Sequence, residues 1–257
     1  MPRRSYDQYC AVARALDAVG DRWTLLIVRE LLGGSRRYTD LHADLPGVST
    51  DMLASRLKDM ERDGLVTRRR LAPPGAAFVY ELTPRGRALL PALTALAEWG
   101  APALDEKRPT DAVRAHWFAL PLVPRLARHF TEGVEVVGIA LDEGEFHVVL
   151  GGGGVGGAGL DSDGPDGRPG DVDGWSRAAD GGPLSADGGP RSADGRPGYA
   201  DGPAERPDVR LRMDTATCAE IAYDRLSLAQ GIESGRIVVT WPEVSGGRRR
   251  RKRTATA

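Results

Sequence analysis

Residues 35–66 read SRRYTDLHADLPGVSTDMLASRLKDMERDGLV. Leu41 and Leu45 stand one helical turn apart, and Pro46-Gly47 cannot continue a helix, so a short helix over Tyr38–Asp44 ends there. Ser49 is a helix cap for a segment over Thr50–Asp63. Leu53, Leu57 and Met60 recur at helical spacing and form its buried stripe, and Gly64 stops it. Two helices joined by the tight turn Pro46-Gly47-Val48 make a helix-turn-helix, whose second helix is narrow enough to enter a major groove. With the apolar stripe inward, the outward positions are Ser49, Thr50, Asp51, Met52, Ser55, Arg56 and Arg62.

Upstream, Ala11–Gly20 carries Val12, Leu16 and Val19 at helical spacing. Asp21 is expected to cap the next helix, which bears Trp23, Leu26, Ile27 and Leu31 and ends at Gly33-Gly34. Downstream, Leu65–Leu71 and Phe78–Leu82 read as strands around the loop Ala72-Pro73-Pro74-Gly75-Ala76, which is longer than a two-residue turn. Thr83-Pro84 opens a further helix with Leu89, Leu90, Leu93, Leu96 and Trp99 on its apolar side. The order is that of a winged helix-turn-helix.

Its chemistry is that of double-stranded DNA binding. Arginine can chelate the O6 and N7 of guanine, and serine hydrogen-bonds many base edges, so Ser55 and Arg56 lead the candidates for base contact. Arg36 and Arg37 precede the short helix, and Arg68, Arg69 and Arg70 enter the wing. All five suit phosphate, although strand alternation turns Arg69 away from its two neighbours. The competing reading of any such arginine is a solvated or ion-paired surface residue, and a winged helix can also bind protein.

The formal net charge of −1 conceals unlike parts. Residues 1–104 hold 15 Lys/Arg against 12 Asp/Glu, and residues 151–208 hold 5 against 11. The last ten residues hold six cations (Arg248, Arg249, Arg250, Arg251, Lys252 and Arg253) and no acid. Such a tail adds salt-sensitive, sequence-independent affinity for DNA, or alternatively pairs with the acidic segment. The two cysteines, Cys10 and Cys218, offer neither a disulfide framework nor a zinc motif. The four histidines show no ligand spacing, so no metal or cofactor is expected. GxSxG, GK[ST] and HExxH patterns are absent, which speaks against enzyme classes that use them. Neither a signal peptide nor a run of about 20 apolar residues occurs, pointing to the cytoplasm, with the nucleoid as the place of action.

The run CAVARALDAVGDRWTLLIVRELLGGSRRYTDLHADLPGVSTDMLASRLKDMERDGLV, followed by YELTPRGRALLPALTALAEWG, resembles the HxlR family of bacterial regulators, relatives of MarR, over residues 10–100. The resemblance implies a homodimer built on the first and last helices of the domain, a recognition helix at 49–63 and a wing at 71–78. It also implies, for some members, a thiol sensor at the position of Cys10. Here Ala11 replaces the proline that usually follows, and Arg14 lies one turn on.

Residues 1–104 thus form one domain and 105–112 a linker. Residues 113–150 and 209–243 form a small α+β domain, with a helix around His116–Phe130 interrupted by Pro121 and Pro124. Strands are expected at Val134–Leu141, Phe146–Leu150, Val209–Met213 and Arg236–Trp241, with helices after Asp214 and near Leu226–Ser234. The part MDTATCAEIAYDRLSLAQGIESGRIVV resembles sterol-carrier-protein-like domains. That resemblance implies an apolar cavity for a hydrophobic small-molecule ligand, for which Trp117, Phe118, Leu122, Leu126, Ile221 and Leu228 supply apolar faces; the same faces also serve a plain core. Residues 151–208 are rich in Gly, Asp and Pro, with Asp180, Asp187, Asp194 and Asp201 every seven residues, each followed by Gly. They read as a disordered insertion, and residues 244–257 as a basic tail. The fold class is therefore α+β. The function expected is a homodimeric, sequence-specific transcriptional regulator, possible ligand control residing in the second domain. The rival is a lipid-type carrier whose winged helix serves dimerisation or protein binding.

Overall fold

The structure is a computed structural model, and it describes residues 5–71, 77–104, 108–130, 133–150 and 198–242. The wing loop 72–76, residues 151–197 of the insertion and the tail arginines therefore lie outside the described residues.

The first unit contains α1 (Ala11–Val19), α2 (Thr24–Leu32), β1 (Arg36–Arg37), α3 (Tyr38–Asp44), α4 (Thr50–Arg62), β2 (Val66–Arg70), β3 (Phe78–Leu82), the helical turn α5 (Pro84–Arg87) and α6 (Leu90–Gly100). Its sheet has the order β1-β3-β2, antiparallel throughout, with Arg68 opposite Tyr80 and Arg36 on the other side of the same tyrosine. Ile27, Val28, Leu31, Leu41, Leu45, Leu53, Leu57, Met60 and Leu82 form its core. The helical stripe expected for α4 is the one that is buried.

Four local details differ from the sequence expectation. Arg36 and Arg37, which precede α3, form a short strand that the sequence did not mark. Asp21 does not cap α2 directly: it stands before Trp23, accepts from the Trp23 N–H and turns its other oxygen to Arg56. The helix expected from Thr83 is broken between Arg87 and Leu90. In a continuous helix the ring of Pro91 would meet the carbonyl of Arg87, so the chain restarts with Pro91 in a new first turn. The apolar stripes of α1 and α6 mostly face away from this core. Val12, Leu16, Leu90, Leu96 and Trp99 are exposed, and each helix buries one residue only, Ala13 and Leu93.

The second unit has a 3₁₀ turn (Ala115–Phe118), α7 (Ala119–His129), β4 (Val136–Leu141), β5 (Gly144–Val149), β6 (Gly198–Asp201), β7 (Val209–Arg212), α8 (Thr215–Ala222), α9 (Leu228–Glu233) and β8 (Val238–Thr240). Its sheet runs β6-β5-β4-β7-β8, antiparallel except for the β4–β7 pair. The Asp214 carboxylate caps α8 by accepting from Thr217, and Ser227 caps α9 in a reciprocal box with Gln230. α7 runs through Pro121 and Pro124 without interruption. Pro121 sits in the first turn, where an N–H would have no intrahelical partner.

One correction concerns the insertion. Residues 198–208 are ordered, and β6 lies inside the range read as disordered. The repeat that reads Ser-Ala-Asp-Gly at 185–188 and 192–195 reads Tyr-Ala-Asp-Gly at 199–202. The aromatic ring supplies the apolar surface that the earlier copies lack, and Tyr199 is buried in the second core.

Gly86 lies where α5 crosses the end of β2. A Cβ there would meet the Leu65 carbonyl oxygen at 2.1 Å. Thr83 Oγ1 donates to the Gly64 carbonyl at 2.6 Å and accepts from the Gly86 N–H at 3.1 Å, fixing this close approach. Gly86→Ala is expected to destabilise the protein by about 1–3 kcal/mol, the usual cost of forcing an extra carbon into a filled site. Urea denaturation checks this; an unchanged midpoint would mean that the Leu65 backbone yields freely.

Candidate nucleic-acid interface

α4 is fixed at its N-terminal end. The Ser49 hydroxyl accepts from the Met52 N–H at 3.3 Å, and Tyr38 of α3 donates to the Thr50 carbonyl at 2.7 Å. Gly47, at φ 85°, makes the turn between the two helices. About 100° of rotation per residue places Asp51, Ser55, Lys58 and Arg62 opposite the buried Leu53, Leu57 and Met60. All four are exposed, as are Ser49, Thr50 and Met52. Lys58 was missed by the sequence reading; the same helical arithmetic would have found it, because it stands midway along this stripe.

Arg56 lies on the flank of α4. Its Nη2 is 2.6 Å from Asp21 Oδ2 and its Nη1 is 3.4 Å from Asp59. The structure thus engages it in an ion pair across the helix-turn-helix, and the exposed stripe does not include it. Arg62 is mostly exposed and pairs with Asp59 at 2.9 Å. In the wing, the Arg68 guanidinium lies over the Phe78 ring at 4.0 Å, Arg69 pairs with Glu81 at 3.3 Å, and Arg70 is exposed. Arg37 is exposed at the start of α3. Arg36 is not: its side chain is turned into the second unit, 3.0 Å from Asp201 and 3.6 Å from Asp44.

Arg36 belongs to a polar junction between the two units. At its centre is Glu30 of α2, with no exposed surface. Its Oε2 is 2.7 Å from His116 Nε2. Its Oε1 accepts from Trp117 Nε1 at 2.8 Å and from Arg29 at 2.7 Å. The Arg29 guanidinium in turn lies over the Trp117 ring at 4.2 Å. On the far side of the imidazole, His116 Nδ1 is 3.3 Å from Asp201. Tyr199 donates to the Arg29 carbonyl at 2.7 Å, its ring packed on Gly33, where a Cβ would come within 2.9 Å. Arg114 reaches Asp44 at 3.2 Å and the Ala43 carbonyl at 3.0 Å, at the end of α3.

Burial pushes the Glu30 carboxyl up, but the His116 hydrogen bond and the charges of Arg29 and His116 outweigh it and hold the group below its ordinary value. Burial likewise pushes His116 down, and the carboxylates of Asp201 and Glu30 overcome this and raise it to about 9. Asp201 is held far below the usual carboxylate range, first by the hydrogen bond from His116 and then by Arg36. His116 is therefore an imidazolium between two carboxylates. Glu30, Asp44 and His116 offer atoms within 4.8 Å of one another, a spacing a metal could use. All three already hold protein partners, and three arginines stand among them, so the donor set is that of an ion-pair network.

The residues expected to supply apolar faces for a ligand divide between the junction and the second core. Trp117 lies in the junction, and Leu122, Leu126, Ile221 and Leu228 are buried in one filled core against which Phe118 packs. Among the described residues, a cavity of about 20 Å³, with room for about one water, is lined by Gly138, Ile139, Ala140, Glu145, Ala204 and Arg210. Cys10 is exposed at the start of α1, and the nearby Arg14 is 3.8 Å from Asp17. Cys218 is fully buried, which pushes its thiol up strongly. No described helix is long and apolar enough to cross a membrane.

A capped, exposed second helix seated beside a two-stranded wing defines a winged helix-turn-helix. The HxlR-like helix-turn-helix family model matches residues 18–108, and the chain belongs to this family. The HTH-type transcriptional regulator YvaP of Bacillus subtilis is 37% identical over 92 residues, which cover 36% of this chain and 85% of that protein. An HTH-type transcriptional regulator of Mycobacterium tuberculosis is 38% identical over 117 residues, covering 45% of this chain and 73% of that protein. Among solved structures, the reduced form of the regulator YodB from B. subtilis is 28% identical, with a TM-score of 0.34 over 39% of this chain and all of that one. The family is one of helix-turn-helix regulators, not of enzymes.

The junction gives a pH dependence whose sign follows from His116. Its value is raised from the ordinary 6.5 to about 9, so its stabilisation is complete below pH 6.5 and is lost as pH rises through 9. Thermal unfolding of the wild type is expected to show falling stability between pH 6.5 and 9.5, and His116→Asn to lack this component. Parallel pH profiles for the two proteins would contradict the assignment.

Proposed function

We propose that the chain is a sequence-specific DNA-binding transcriptional regulator that acts as a homodimer. The observation that carries this is the exposed stripe of α4, Asp51, Ser55, Lys58 and Arg62, standing on a fully buried stripe with a capped and tethered N-terminus. A rigid helix with short polar and cationic groups outward is suited to base edges in a major groove. Ser55 and Thr50 donate or accept, Asp51 accepts from cytosine N4, and Lys58 donates to guanine or to phosphate. Arg37, Arg68 and Arg70 flank the helix as phosphate ligands. Arg56 acts by holding α4 against Asp21.

The exposed apolar faces of α1 and α6 support the homodimer. Val12, Leu16, Leu96 and Trp99 would leave a large apolar surface in water, Trp99 being 84% exposed, and a second copy supplies the matching surface. The second unit carries its own sheet and buried core, and the near-complete burial of Leu122, Leu126 and Ile221 favours a structural role over a ligand cavity.

Duplexes selected from a random pool by the full-length protein test this reading. Ser55→Ala is expected to lower affinity for the selected site by about five- to tenfold and to leave affinity for arbitrary duplex unchanged. Arg70→Ala is expected to weaken both equally and to reduce the slope of log K against log salt by about one. Trp99→Asp is expected to give monomers in sedimentation. Selection of no recurrent sequence would refute the regulator reading, and a Trp99→Asp protein that remains dimeric would refute the α1–α6 interface.

A further inference from the structure

We propose that the second unit is a splint that fixes the angle between α6 and the helix-turn-helix, and that His116 and Asp201 are thereby residues that determine the spacing of the two DNA half-sites. The inference rests on the homodimeric DNA-binding reading above.

The first observation is how thinly α6 is attached to its own unit. Of its eleven residues, Leu93 alone is buried. Its neighbour on the chain, α5, is a single turn, and the break before Pro91 leaves no continuous helical hydrogen bonding to carry direction from one to the other. Within its own unit α6 leans on α2 alone among the larger contacts, and α7 of the second unit packs on it to a similar extent, so the second unit shares in setting where α6 points. If α6 joins the two copies, its direction sets the distance and rotation between the two recognition helices, and hence the half-site spacing.

The second observation is that the second unit touches both parts. α7 packs against α6, and Arg225 donates to the Ala101 carbonyl at 3.3 Å, just beyond the end of α6. On the other side, His116, Trp117, Asp201, Tyr199 and Arg114 engage α2, β1 and the end of α3. α3 is tied to α4 by Tyr38, so a continuous chain of contacts runs from the joining helix to the recognition helix.

The third observation is the chemistry of the link. Apolar contacts tolerate sliding, whereas a buried imidazolium between two carboxylates has one geometry in which all partners are satisfied. A displacement of an ångström or two would leave Glu30 buried with unmet hydrogen-bonding capacity, which is costly. The link thus specifies position as well as holding the units together.

The test is in vitro selection from random duplexes with full-length wild type, His116→Asn and Asp201→Asn, reading half-site sequence and spacing separately. Asp201 is 40% exposed, so Asp201→Asn disturbs packing less than His116→Asn and serves as the second variant if the first fails to fold; far-ultraviolet circular dichroism identifies folded variants. The wild type is expected to select one spacing. The folded variants are expected to select the same half-site sequence at several spacings, with affinity for an isolated half-site within twofold of wild type. Variants that retain a single spacing overturn the splint, as does a wild type that selects half-sites with no preferred spacing. A wild type that selects no recurrent half-site overturns the DNA-binding reading itself, and the splint with it.

Discussion

Glu30 is a carboxylate with no exposed surface in the last turn of α2, at the border of two cores. An ionised carboxylate in such a place is tolerable only if its oxygens are met by donors and its charge by cations. The winged helix meets these requirements only in part: Arg29 supplies one cation, and the remaining donors, His116 and Trp117, come from the second unit. Removing one partner from a buried pair of this kind costs about 3–5 kcal/mol, because the other charge is left stranded. The docking of the second unit is therefore a condition for the stability of α2 in this form, and α2 carries Ile27, Val28 and Leu31 at the heart of the first core.

The network extends by charge. His116 is kept protonated by two carboxylates, and the second of these, Asp201, is also within reach of Arg36, which is itself near Asp44, which accepts from Arg114. Each acid sits beside more than one cation, so no single charge is buried alone. Of the two arginines expected to meet phosphate before α3, Arg36 is consumed in this network, while its neighbour Arg37 is left exposed. Strand alternation explains the division: in β1 the two side chains must leave opposite faces.

The first unit was legible because its signals are local. Ser49, Gly64 and the Leu53–Leu57–Met60 spacing determine α4 without reference to anything distant, and the observed helix differs from the expected one by a residue at its end. What could not be read was pairing across the chain. Arg56 and Asp21 are 35 residues apart, and Glu30 and His116 are 86 apart. Nothing in the periodicity of either segment marks the other as its partner. The outward stripes of α1 and α6 illustrate a related limit: an apolar face is legible as apolar, but whether it meets its own core or another copy is a property of the assembly. β6 was hidden by its neighbourhood, since Tyr199 stands in the last copy of a polar repeat and only its ring distinguishes it.

The filling of the second core bears on how such a regulator would be controlled. Leu122, Leu126, Ile221 and Leu228 are packed to near-complete burial, and opening a ligand-sized space among them would forfeit both apolar burial and van der Waals contact. The junction has the opposite character. It is built from ionisable groups, its outer carboxylate is partly open to water, and its strength depends on the protonation of one imidazole. Disturbing the junction therefore needs only a change of charge, whereas admitting an apolar ligand needs the core to reopen. Because the junction borders α2 and α3 directly, a change there reaches the helix-turn-helix without passing through the interior of either unit.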